Sequence, residues 1–190
     1  MSWAAVDAFD ALLDPLIGRW RGHPLADKLA YGASALGDHG LVWFLIGLAR
    51  GREKDRRAQA RWAVGFSGAV TPVVNAGMKA VVGRGRPDRR ADDPRTVREP
   101  GSTSFPSGHA LAAWCAATLL ADHDPLAPVY YLVAATVSLS RIHLRQHHTT
   151  DVLAGAALGM VLGRLGRLTA PRRRGGPAGR RNGRGREGVV

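Results

Sequence analysis

Apolar residues gather into separate blocks along this chain, and most of the polar residues fall between the blocks. Residues 3–17 set Trp3, Val6, Phe9, Leu12, Leu13, Leu16 and Ile17 among Asp7, Asp10 and Asp14. That spacing predicts a short helix with one apolar stripe. It suits the bilayer interface, although an amphipathic helix packed on a soluble core would read the same way. Five further helical segments are expected, at roughly 29–49, 62–82, 107–121, 127–139 and 150–168. The first carries Asp38 and His39 and ends in the run Leu41-Val42-Trp43-Phe44-Leu45-Ile46. The second is uncharged from Trp62 to Met78, with Pro72 as a candidate kink.

The expected architecture is therefore all-α: a transmembrane helical bundle of about five spans plus an N-terminal amphipathic helix. A spanning helix wants about 20 apolar residues, and the last three segments are short by that measure. Polar motifs begin where their apolar runs stop, so helices opening at a site set below the membrane surface would be short for that reason. Three parts are expected: an interfacial segment 1–28, a membrane-embedded domain 29–168, and a basic tail 169–190.

Composition changes this picture only locally. The mean hydropathy of -0.12 would suggest a soluble protein, but the polarity is concentrated in the tail and in the 84–100 loop. The formal net charge of +12 points to an anionic partner. The Gly- and Arg-rich tail cannot repay the entropy of ordering and reads as disordered. No recognisable nucleic-acid reader accompanies it, so nucleic acid is not the expected partner. A single cysteine, Cys115, excludes an internal disulfide framework and a cysteine-based zinc site. It reads as a small buried helix residue. No charged start with an apolar core and cleavage site opens the chain, so a cleaved signal is not expected.

Residues Arg50 to Arg61 hold six basic and two acidic residues. With five spans this linker shares a side with the basic tail, and the 84–106 and 140–150 connections lie opposite. Excess Lys and Arg mark the cytoplasmic face. The expected place is the bacterial plasma membrane, with those two connections facing outward and the tail in the cytoplasm.

Three polar clusters carry candidate chemistry. In Lys79-Ala-Val-Val-Gly-Arg-Gly-Arg86-Pro87, seven residues make nearly two helical turns, so Lys79 and Arg86 share a direction if the helix persists. A lysine point charge and an arginine fork together suit phosphate oxygens, and a headgroup-facing flank would look alike. In Phe105-Pro106-Ser107-Gly108-His109, the Pro-Ser-Gly run marks a helix start. Unpaired N–H groups there favour an anion, Ser107 adds a hydroxyl, Gly108 permits close approach and His109 stands in the first turn. The plainer alternative makes Ser107 a cap and His109 a polar flank. In Ser140-Arg141-Ile142-His143-Leu144-Arg145-Gln146-His147-His148-Thr149-Thr150-Asp151, His147 and Asp151 are four apart and share a helical face. Asp151 could hold one imidazole nitrogen and leave the other free to attack. Arg141 is a candidate oxyanion clamp. Three histidines in six residues also suit a metal, but no cysteine or carboxylate cluster lies near them in sequence.

Together the three clusters resemble the tripartite signature of the type 2 phosphatidic acid phosphatase superfamily, which also holds bacterial acid phosphatases and vanadium haloperoxidases. The resemblance covers roughly residues 29–168. It implies a helical bundle with the site at the helix ends, and phosphatase activity with no metal and no other cofactor. It further implies a phosphate-binding set of Lys79, Arg86, Ser107, Gly108 and Arg141. His109 would be the acid for the leaving oxygen, His147 the nucleophile and Asp151 its orienting partner. The implied substrate is a lipid-linked phosphate monoester or pyrophosphate. Lipid phosphatases of this family usually have six spans, and here the amphipathic 3–17 segment stands in place of the first. Other readings are a soluble or broad-specificity acid phosphatase of the same superfamily, a haloperoxidase, or a non-catalytic membrane protein with a decayed site.

Overall fold

A computed structural model describes residues 3–88 and 101–171 of the chain. Residues 89–100 of the long loop and the tail from Arg172 onward lie outside the described residues. The described chain forms α1 (Ala4–Gly18), α2 (Pro24–Gly37), a 3₁₀ turn (Asp38–Gly40), α3 (Leu41–Arg50), α4 (Arg57–Val82), α5 (Gly108–Leu120), α6 (Ala127–His143) and α7 (Thr149–Leu168). The 28/29 boundary drawn from sequence falls inside α2, and α4 runs on through Pro72 as one helix.

The centre of the bundle is α5. Ala110, Leu111, Ala113, Cys115, Ala116, Ala117, Leu119 and Leu120 are all buried, so this helix is covered nearly all round. Its small side chains let neighbours come close, and α7 comes closest. A Cβ added to Gly155, Gly159 or Gly163 would strike Ser107 O, Leu111 O or Thr118 Cβ, respectively. Glycine every fourth residue thus gives α7 a flat face that lies against the α5 backbone, the kind of packing that holds helices together in lipid.

Polar bonds mark the two ends of the bundle. At one end Gln59 Nε2 donates to Leu119 O at 3.1 Å, Trp62 Nε1 donates to Gly166 O at 2.9 Å, and Arg167 Nε donates to Thr118 O at 2.8 Å. The α5–α6 connection joins the 50–61 linker there through Asp124, which meets Arg50 at 2.7 Å and Arg56 at 2.5 Å. At the other end the α4 and α6 C-termini meet the α5 and α7 N-termini. Helix direction alone therefore brings all three polar clusters together.

The first predicted segment is not one straight helix. Asp38 is extended (φ -61°, ψ 131°), and His39 (φ 52°) and Gly40 (φ 71°) are left-handed, which turns the chain between α2 and α3. α2 then lies across the polar end: Asp27 meets His143, Ser34 meets Arg141, and Asp38 meets His109. Among the described residues, the run Pro24–Arg50 alone is long and apolar enough to cross a membrane by length and composition, and most of it is unburied.

α1 is amphipathic as predicted, but its polar edge faces the protein. Asp10 is its one buried residue, whereas Phe9, Leu12 and Leu16 are exposed. Asp10 accepts from Thr150 N at 2.8 Å and Asp14 from Thr149 N at 2.9 Å, so two acids of α1 satisfy first-turn donors of α7.

Candidate active site

His147 is placed by a chain reversal after α6. Arg141 O accepts from both Gln146 N (2.9 Å) and His147 N (3.2 Å), and Arg145 adopts a left-handed φ of 51° within the turn. The imidazole is buried, with Nε2 3.4 Å from Arg86 Nη1 and Nδ1 3.7 Å from Asp151 Oδ2. That second distance is too long for a hydrogen bond, and Nδ1 has no hydrogen-bonding partner among the described residues. Burial pushes the His147 pKa down to about 4; Asp151 opposes that shift, and the Arg86 and Arg141 cations add to it. The ring is therefore neutral near pH 7, with a lone pair available.

Asp151 is fully buried and held on every side. Its Oδ1 accepts from Arg84 Nη1 at 2.9 Å; its Oδ2 accepts from His148 N at 2.9 Å and from the Ser104 hydroxyl. Arg84 also donates to Thr150 Oγ1 (2.8 Å), Asp7 Oδ1 (2.7 Å) and Asp10 Oδ2 (2.7 Å). One guanidinium thus ties α1 and the end of α4 to the carboxylate behind His147.

The helix expected to carry both Lys79 and Arg86 stops at Val82 between them, and the turn after it, not helical spacing, brings the two side chains together. Gly83 takes a left-handed φ of 62°, which ends α4 and turns the chain toward α7. Both cations donate to Thr103 O, and Arg86 also donates to Ser102 O at 3.0 Å and to Gln146 O at 2.5 Å. Arg141 is buried; its Nη1 bonds the Ser34 hydroxyl, and its Nε has no partner among the described residues.

The second cluster opens α5 as expected. Ser107 is fully buried and caps the helix, with Oγ accepting from Ala110 N at 3.5 Å. Ser107 N donates to Asp151 O at 3.0 Å, which joins this helix start directly to the third cluster. A Cβ on Gly108 would come within 2.9 Å of the Asn75 amide nitrogen, so the Asn75 side chain packs directly on this glycine and would have to shift to admit a larger residue. His109 follows, with Nε2 2.8 Å from Asp38 Oδ1. A cavity of about 590 Å³ begins at His109 and Gly108 and runs between α3 and α4, past Trp43, Phe44, Val64 and Pro72.

All eight predicted site residues therefore lie at one end of the bundle, on the ends of α4 to α7 or in the connections that follow α4 and α6. The family model described as the PAP2 superfamily matches residues 60–174, which include every one of them. The chain belongs to the PAP2 superfamily. Among PAP2 relatives, decaprenylphosphoryl-5-phosphoribose phosphatase of Mycobacterium tuberculosis is 34% identical over 137 residues, covering 72% of this chain and 76% of the relative. Phosphatidylglycerophosphatase B of Bacillus subtilis is 36% identical over 102 residues, covering 47% and 48%. Among solved structures, LpxE of Aquifex aeolicus superposes with a TM-score of 0.70 at 25% identity, covering 83% of this chain and 94% of that one. The transmembrane PAP2-type phosphatidylglycerolphosphate phosphatase of Bacillus subtilis gives 0.68 at 24% identity, covering 87% and 86%. The all-α fold read from the helical blocks is thus the fold of membrane PAP2 phosphatases.

Several residues that shape this PAP2 site escaped the sequence reading. Arg84, Ser104 and Asn75 carried no assigned role, yet the first two hold Asp151 and the third packs on Gly108. His143 and His148, which the sequence offered only as members of a three-histidine run, are paired with Asp27 (2.7 Å) and Asp14 (3.2 Å). The available signal was Asp7, Asp10 and Asp14, three acids on one face of α1 in a chain with a large excess of cations.

Proposed function

We propose that this PAP2 protein is an integral-membrane phosphatase of the bacterial plasma membrane. It hydrolyses a lipid-linked phosphate monoester or pyrophosphate through a phosphohistidine at His147, with no metal. The observation that carries the reading is the placement of His147, with Nε2 toward Arg86 and Nδ1 toward the clamped carboxylate of Asp151. Arg86 lies against that nitrogen, Lys79 shares Thr103 O with Arg86, and the start of α5 is tied to Asp151 through Ser107 N, which supports a phosphate site at this end of the bundle. Phosphoryl transfer needs chiefly positioning and a positive field on the equatorial oxygens. Lys79, Arg86 and Arg141 supply the field, Gly108 lets the α5 N-terminus approach, and Ser107 fixes that terminus.

His147 Nε2 attacks phosphorus in line, and Asp151 stabilises the imidazolium that forms. His109 gives a proton to the departing oxygen and afterwards takes one from the water that cleaves the phosphohistidine.

A lipid substrate is favoured by two features. Apolar side chains stand exposed along the helices, among them Leu12, Leu16, Leu29, Phe44, Leu132 and Val161. The cavity beside His109 offers the leaving group an apolar path between α3 and α4. The named activity of the Mycobacterium tuberculosis relative makes a polyprenyl-phosphoribose phosphate the first substrate to try. About five spans, with α1 in the interface and the site facing outward, follow from the basic 50–61 linker at the opposite end. The three parts 1–28, 29–168 and 169–190 belong to this same reading.

The test is phosphate release by the purified protein in detergent with a chelator present. The panel is phosphatidate, phosphatidylglycerol phosphate, a polyprenyl pyrophosphate and a polyprenyl-phosphoribose phosphate. Turnover of at least one substrate is expected, with no turnover and no phosphoenzyme from His147→Ala. A phosphoenzyme that persists in His147→Ala, or activity that needs added metal, would overturn the mechanism.

A further inference from the structure

The turn between α2 and α3 is built against His109. Gly37 lies so close to the ring that a Cβ there would come within 2.8 Å of Val137 Cγ1 and 2.9 Å of His109 Cδ2. Leu41 N then closes the turn onto Asp38 O. Two successive left-handed residues, His39 and Gly40, follow Asp38, whose Oδ1 reaches His109 Nε2 at 2.8 Å. Nδ1 of His109 makes no bond among the described residues. The ring is thus gripped through one nitrogen and open at the other, as a proton donor in service to a substrate must be.

Charge gives the grip a second purpose. The charged groups that act on His109 are Asp38, in direct contact, with His39 from the same turn and the Arg141 guanidinium from α6. Asp38 is the one carboxylate among them. Burial and the Arg141 cation both disfavour an imidazolium at His109, and Asp38 supplies the countercharge that opposes them when the ring carries its second proton.

We propose that Asp38 is a positioning residue for His109, holding Nε2–H so that the Nδ1 proton is the one delivered to the leaving oxygen. This rests on the reading of His109 as the general acid. In the first half-reaction the bond from His147 Nε2 to phosphorus forms and the bond from phosphorus to the leaving oxygen breaks. The electron pair of the broken bond stays on that oxygen, which takes the proton from His109 Nδ1. Neutral His109 keeps Nε2–H on Asp38. In the second half-reaction Nδ1 takes a proton from water as the water oxygen bonds to phosphorus and the phosphohistidine bond breaks. The site therefore contains two His–Asp pairs of parallel design: Asp151 behind the nucleophile and Asp38 behind the acid.

The experiment measures phosphoenzyme formation by rapid quench on Asp38→Asn and Asp38→Glu, alone and combined with His109→Ala. Each is run with a lipid phosphate and with p-nitrophenyl phosphate, whose leaving group needs little protonation. Asp38→Asn is expected to slow the lipid reaction about tenfold to hundredfold, a part of the roughly 10²–10⁴-fold that a general acid supplies. The loss on p-nitrophenyl phosphate should be distinctly smaller, and Asp38→Glu should restore part of the rate. In the His109→Ala background Asp38→Asn should change nothing further. Equal losses on both substrates, or a loss that multiplies that of His109→Ala, would overturn the proposal. If His109→Ala itself loses equally on both substrates, the general-acid reading fails instead. Should Asp38→Asn not fold, Gly37→Ala displaces the same turn, and the same comparison of leaving groups decides.

Discussion

The Arg84 guanidinium donates to Asp151 Oδ1 at 2.9 Å, on the carboxylate oxygen that His147 does not face. Its other terminal nitrogen binds Asp7 and Asp10, so a buried cation is shared by three carboxylates from two helices. Removing one partner of a buried ion pair costs about 3–5 kcal/mol, because the remaining charge is left uncompensated. Arg84→Met should therefore lower the melting temperature in detergent sharply. Asp10→Asn should be costly in the native background and nearly neutral in Arg84→Met. Independent, additive losses would show that the two side chains do not act as one unit.

The glycine face of α7 seats directly on α5 of the same chain, so single substitutions there should act on stability. Gly159→Ala puts a methyl group into Leu111 O and Cys115 N, and overpacking of that kind costs about 1–3 kcal/mol. Gly77→Ala on α4 meets nothing within 4 Å, and replacing a mid-helix glycine by alanine there should gain about 0.5–1 kcal/mol. Thermal unfolding of the two variants side by side should move in opposite directions.

Asp124 gives stability a defined pH dependence. Burial pushes its carboxyl up, but bonds from Leu126 N, Arg50 and Tyr130 prevail and hold it below its ordinary value. A carboxyl depressed on folding contributes stability that is complete above its unfolded pKa of about 3.9 and is lost as pH falls through the folded value. Asp124→Asn should cost about 1.5–3 kcal/mol near pH 7, the range for hydrogen bonds to a charged group. The gap between variant and parent should close below about pH 4. A gap that stays constant from pH 7 to pH 3 would mean that the charge of Asp124 contributes nothing.

Orientation is checked by placing single cysteines at the two ends after Cys115→Ala. Asp88 and Lys54 are both exposed, the first at the site end and the second in the basic linker. An impermeant thiol reagent should label Asp88→Cys in intact cells and Lys54→Cys only after the membrane is opened. The reverse pattern would place the site in the cytoplasm.

The helical blocks and the three clusters were legible because each rests on local spacing. Lys79 to Arg86, Ser107 to His109, and His147 to Asp151 are short-range patterns, but the first and third pairs do not share a helix as expected: α4 stops at Val82, and His147 lies before the His148 cap of α7, so chain turns bring these partners together. The supports were not legible in the same way. Asp38 lies 71 positions from His109, and Asp10 lies 74 from Arg84. No periodicity links residues so far apart; only the packed bundle does. α1 shows the same limit differently. An acidic edge opposite an apolar stripe describes a helix half in water, and it describes equally a helix that turns its acids to a cationic protein surface and its leucines outward.

The close fit of α7 on α5 acts as a ruler for the chemistry. Ser107 and His109 start one helix, Asp151 stands in the first turn of the other, and Ser107 N is bonded to Asp151 O. The relative height of acid and nucleophile is therefore set by the register in which Gly155, Gly159 and Gly163 seat on the α5 backbone. Gly155 to Gly163 spans eight residues, about 12 Å of helix at 1.5 Å per residue. A slip of one residue at the far end would carry the whole phosphate cradle out of line with His147, and about 1 Å of misplacement can cost a hundredfold in rate. Accuracy at the reacting atoms is thus held by a seam of hydrogen-for-side-chain positions, most of which never meet the substrate.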